Sequence, residues 1–214
     1  LDTRSNGATV DGVGAKGGAI VGKTSRTFSV LGRGGVPASG VDAVVLNVTA
    51  VSPTAGTFLS VYPAGQGVPN TSNLNVLKGE VSPNLVVVKV GTGGSVNVYA
   101  SAGSVHVLAD VAGYFPTGGG YTALSPGRLM DTRAPGATVD GQGKAAGPLA
   151  SGVERSLQIT GRYGIPSTGV AAVILSVTGV QPTTGTFASV WPTGSTKPST
   201  SNLNLLKGEV KPNL

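Results

Sequence analysis

Val44-Val45-Leu46-Asn47-Val48-Thr49 is the stretch from which the fold can be read. Val44, Leu46 and Val48 alternate with Val45, Asn47 and Thr49, so the two sets face opposite sides of a strand. β-Branched residues fill it, and these fit a pleated, half-buried surface. Working outward, similar short runs recur at 57–62, 73–77, 85–90, 96–99 and 105–111. Turn formers separate them: Ser52-Pro53-Thr54-Ala55-Gly56, Ala64-Gly65-Gln66-Gly67, Gly91-Thr92-Gly93-Gly94 and Ser101-Ala102-Gly103. Short strands spaced roughly 8–12 residues apart predict an all-β fold, an antiparallel sandwich or a barrel. The pattern leaves those two open and gives roughly nine strands per complete unit.

Composition agrees. The 214 residues include 35 Gly and 14 Pro, with 11% charged, 5% aromatic and 39% hydrophobic residues. The chain is too apolar and too weakly charged for disorder. It has no apolar run of roughly 18 residues that would span a membrane. The glycines lack the three-residue period of collagen. The net charge is +6, but the 15 basic residues are scattered, which argues against nucleic acid. What remains is a weak attraction to anionic polymers such as cell-wall glycopolymers. There is no cysteine, so disulfides, cysteine zinc sites and cysteine nucleophiles are excluded. Low charge with abundant Gly, Ser, Thr, Asn and Val predicts an extracellular or cell-surface location. Leu1-Asp2-Thr3-Arg4 lacks the layout of a signal peptide, so the chain reads as a mature fragment or a piece of something longer.

The chain also repeats itself. Asp2-Thr3-Arg4 recurs as Asp131-Thr132-Arg133, an offset of 129 residues. At the same offset, Gly7-Ala8-Thr9-Val10-Asp11-Gly12 recurs from Gly136, Gly56-Thr57-Phe58 from Gly185, and Leu77-Lys78-Gly79-Glu80-Val81 from Leu206. Thr71-Ser72-Asn73-Leu74-Asn75 recurs from Thr200. Residues 1–85 and 130–214 share about 47 identities in 85 positions without a gap. Two tandem domains of one fold are expected: 1–115, a Gly-rich linker at 116–120, and 121–214. The second is truncated, lacking the counterpart of 86–115. Its missing strands are expected to come from neighbouring repeats or from self-association by strand addition.

Candidate chemistry is sparse. His106 shares a strand face with Ser104 and Asp110, but residues two apart on a strand are about 6.5–7 Å apart and do not stack into a relay. No Gly-x-Ser-x-Gly elbow and no Asp-rich calcium loop is present. No catalytic residue, metal site or cofactor is expected. Of ten charges in residues 1–85, seven recur in kind: Asp2, Arg4, Asp11, Arg26, Arg33, Lys78 and Glu80. Internal ion pairs are expected among Asp2, Arg4 and Arg26, and among Asp131, Arg133 and Arg155, with Lys78 meeting Glu80 across a turn. Asn73, Asn75, Asn202 and Asn204 carry amides suited to sugar hydroxyls or to loop backbone groups. Tyr62 and Trp191 occupy equivalent positions and are the best candidate stacking platforms for a sugar ring, but with so few aromatics core packing is the favoured reading for both.

Together several motifs resemble a known secreted repeat. They are the Asp-Thr-Arg start, Gly32-Arg33-Gly34-Gly35-Val36-Pro37, Val44 to Thr49, Val61-Tyr62-Pro63, Ser72-Asn73-Leu74-Asn75, and His106-Val107 followed by Asp110-Val111 and Gly113-Tyr114-Phe115. The pattern is similar to a tandem β-repeat of actinomycete surface proteins, often attached to cell-wall amidases. Ser176 in place of Asn47 and Tyr163 in place of Gly34 depart from it. The resemblance implies a non-catalytic accessory module. The expected role is therefore a structural spacer, adhesive or fibre-forming module. The alternative is a module binding carbohydrate or cell-wall polysaccharide.

Overall fold

A computed structural model describes residues 1–199 and 201–214; Thr200, part of the repeated Thr-Ser-Asn motif, lies outside them. The first unit contains β1 (Ile20–Val21), β2 (Thr24–Ser29), β3 (Val41–Val51), β4 (Thr57–Pro63), β5 (Leu74–Val76), β6 (Val81–Lys89), β7 (Ser95–Ala100) and β8 (Ser104–Pro116). They form two four-stranded sheets, β1-β8-β3-β6 and β2-β7-β4-β5, with every ladder antiparallel.

The alternation in β3 explains the architecture. Val44, Leu46, Val48 and Ala50 point to one side and are buried, as are Val86 and Val88 of β6 and Val105 and Val107 of β8. Phe28, Leu59, Val61, Val96, Val98 and Leu74 of the other sheet complete the same core. Two sheets each with one apolar face bury it against each other, so the unit is a sandwich. Valine suits both roles, since its branched Cβ stiffens a strand and its burial contributes roughly 1.5–3 kcal/mol.

Eight strands appear rather than nine. β2 escaped the sequence reading because Thr24-Ser25-Arg26-Thr27-Phe28-Ser29 carries a single large apolar residue. β8 runs on to Pro116, past the expected run. One extra residue, Ala112, is accommodated where the β3–β8 register shifts between Val45 and Leu46.

The repeat is not matched by an equal fold. Among the described residues, the second unit contains only β9 (Val177–Val180), β10 (Thr186–Ala188), β11 (Leu203–Leu205) and β12 (Val210–Asn213). Its ladders are β9–β12 and β10–β11. Val180 opposite Val210 repeats Val51 opposite Val81, and Thr186 opposite Leu205 repeats Thr57 opposite Val76. These correspond to β3–β6 and β4–β5, the two ladders of the first unit that need neither β7 nor β8. The counterparts of β1 and β2, whose ladders are with β8 and β7 alone, are not strands.

Candidate functional site

The Asp-Thr-Arg motif folds into a clasp. Arg4 donates from Nε to Asp2 Oδ1 at 3.0 Å and from Nη2 to Oδ2 at 2.7 Å, and its backbone N–H adds a bond to Oδ1 at 3.1 Å. Asp131 and Arg133 repeat all three, at 2.9, 2.7 and 3.2 Å, with Arg128 added at 3.0 Å. The forked guanidinium bond holds the Asp2 carboxyl down at about 2, and Arg133 does the same for Asp131. A side chain at Gly7 would lie 2.8 Å from Asp2 Oδ1, so the turn closing over the carboxylate excludes a Cβ there.

Thr3, between the clasp residues, ties the N-terminal segment to β8. Its N–H donates to Val107 O at 3.1 Å, and its Oγ1 accepts from Val107 N–H at 2.8 Å. His106 Nδ1 lies 3.0 Å from Thr3 O and 3.2 Å from Thr3 Oγ1. The only histidine thus turns to Thr3 rather than to Ser104 or Asp110, its neighbours along the strand. Thr3 gave no signal in the sequence beyond recurring with the motif.

A second clasp joins residues that the sequence marked only as repeated charges. Arg33 donates from Nε to Asp11 Oδ2 at 2.6 Å and from Nη2 to Oδ1 at 2.8 Å, while Nη1 reaches Ser29 O at 2.8 Å. Arg162 binds Asp140 at 2.7 Å twice and Gln158 O at 2.8 Å. Asp140 is held down at about 2 by its guanidinium partner, and Asp11 lies lower still.

Arg26 and Arg155 correct the expected ion pairs. Arg26 Nη1 donates to Gly17 O at 2.6 Å, and Arg155 Nη1 to Gly147 O at 2.9 Å. Arg4 and Arg133 already occupy both oxygens of each carboxylate. Glu80 likewise accepts from Leu77 N–H at 2.7 Å, capping its own turn, as Glu209 does with Leu206.

The amides brace loops. Asn73 Oδ1 accepts from Val61 N–H at 2.7 Å, and its carbonyl accepts from Asn84 Nδ2 at 2.6 Å. Asn202 repeats both with Val190 and Asn213, at 2.8 and 2.7 Å. Asn75 donates to Ser72 Oγ, and Asn204 accepts from Ser201 Oγ, each at 3.2 Å. Tyr62 is only 3% exposed, and its hydroxyl lies 2.6 Å from Ser25 Oγ, so its ring offers no face for stacking. Trp191 is half-buried beyond β10. The exposed aromatics of the first unit are instead Phe58, which lies beside the half-buried Tyr99 with centroids 6.1 Å apart, and Tyr114.

The second unit carries a groove of about 320 Å³, lined by Val173, Leu175, Val177, Val190 and Leu203 among others. Among the described residues no group of three or more His, Asp or Glu gathers as a metal site, and no helix is long and apolar enough to cross a membrane. Set against models of known protein families, against curated proteins and against solved structures, the chain matches none.

Proposed function

We propose that the chain is a non-catalytic, extracellular structural module of a bacterial surface protein, working as a tandem spacer. The observation that supports this reading is what the repeated polar side chains do. Asp2 and Arg4, Asp11 and Arg33, Arg26, Asn73 and Glu80 each bind the chain's own backbone or one another, and their partners 129 residues later do the same. Side chains retained for a ligand would converge on a shared cleft. These instead tie down separate turns, which is what a load-carrying repeat needs. The surface location rests on the composition and on the motif resemblance.

The test is to mix the full chain with insoluble bacterial cell wall over a salt series and to follow the same preparation by sedimentation velocity. A spacer predicts an elongated particle and only salt-sensitive depletion, from the basic charge. Saturable, salt-resistant depletion abolished by Trp191→Ala, with an unchanged melting temperature, would replace this reading with a polysaccharide-binding module.

A further inference from the structure

The groove of the second unit has an internal template. Val173, Leu175, Val177 and Val190 correspond to Val44, Leu46, Val48 and Val61. In the first unit Val44 stands opposite Tyr114, Leu46 opposite Val111 and Val48 opposite Ala109, all on β8, while Val61 stands opposite Val98 on β7. Val44 is 0% exposed and Val173 is 38% exposed. The difference is therefore the space of one continuous stretch: the rest of β6, which sets Val88 opposite Val44 and Val86 opposite Leu46, then β7, the turn at 101–103, and β8. β7 and β8 lie in different sheets, so together they form an arch that enters the centre of both.

The second unit keeps the marks of a sandwich interior. Ala50 and Val76 are replaced by Gly179 and Leu205, one side shrinking as the other grows. A Cβ at Gly179 would collide with Leu205 Cδ1. That compensation matters only where two sheets face each other at close range. Another change points at the missing element itself. Leu59 pairs across strands with Ala100 of β7, and both are fully buried. The second unit has Ala188 at the Leu59 position, leaving room on the vacant side.

We propose that this groove is the docking site for a two-strand β-arch of the same repeat type. The arch adds one strand to β9 and its upstream extension and another to β10. It carries a residue larger than alanine where the first unit has Ala100. Backbone hydrogen bonds to the two open edges would supply adhesion, and the alternating apolar face would supply register.

The experiment appends a second copy of residues 86–116 directly after Leu214, the position that matches Leu85, and reads amide hydrogen exchange over 170–192. In the 214-residue chain these amides are expected to exchange freely. In the extended chain they should slow on the order of 100-fold or more, as strand amides of a closed unit do. Ala→Val at the appended equivalent of Ala100 should slow them further, whereas Ala100→Val in the first unit should speed exchange there. Since a Cβ at Gly22 would lie 2.6 Å from Ala102 C, and Ser151 stands at that position in the second unit, a Ser151→Gly version is run alongside. No slowing in either version would overturn the proposal. So would equal slowing by a scrambled appendage, or protection of 170–192 in the unextended chain as a dimer.

Discussion

The two halves of this chain share a sequence and differ in what that sequence builds. Val61 and Val190 are the same residue in the same motif, yet Val61 is 1% exposed and Val190 43%. Phe58 and Phe187 follow the same trend, at 37% and 58%. Local signals are nearly equal in the two halves, since the turns, the clasps and the alternation recur. What differs is the presence of β7, β8 and the second half of β6. The lesson is that local pattern secures only those ladders whose two strands are both at hand, while burial depends on strands far along the chain.

The contrast can be broken most directly in the core. Leu46→Ala should destabilise the first unit by about 2–5 kcal/mol, because it removes a fully buried side chain from a closed sandwich. Leu175→Ala, its counterpart, should cost less than about 1 kcal/mol, because its surroundings are already open to water. Denaturant titration of the two variants checks this, and equal losses would end the distinction.

Thr3 sharpens it. Thr3→Val leaves the buried Val107 N–H without its acceptor and should cost about 1–3 kcal/mol. Thr132 has no β8 to hold, so Thr132→Val should change the melt by no more than about 0.5 kcal/mol. Thermal melts of both proteins give the comparison.

Acid gives the smallest effect. Asp2 has an ordinary value of 3.8 and sits at about 2 in the clasp, so the folded carboxyl holds its proton less tightly than the unfolded one. The stability this supplies is intact above the unfolded value and fades as pH falls toward 2. Arg4→Met should therefore raise the acid midpoint of the first unit, by roughly half a pH unit or less given the exposed guanidinium. Arg133→Met should leave that midpoint in place. Circular dichroism through the acid range reads both.

Much of the first unit was legible in its sequence. The β3 run, the valine-rich strands and the glycine turns carry local information that survives in the fold. β2 was not legible, because its strand state comes from pairing with β7 rather than from its own polar residues. The clasps were half legible. Repetition marked the charges, but the choice of Arg4 over Arg26 for Asp2 depends on which guanidinium the tight turn brings within reach. Core packing of Tyr62 was legible from the scarcity of aromatics, but its hydroxyl partner was not, since Ser25 lies on that unrecognised strand.

The strands that come last in the repeat occupy the middle of both sheets, and this sets a timetable. The contact between Thr3 and His106 spans 103 residues of chain. A chain emerging N-terminus first, from a ribosome or through a pore, makes β3–β6 and β4–β5 early and must then wait for the final arch. Contacts that distant close slowly, because the loop entropy comes before the reward. The first unit therefore stays open for most of its emergence and locks in a late step. In a chain carrying several complete units, closure would advance one arch at a time.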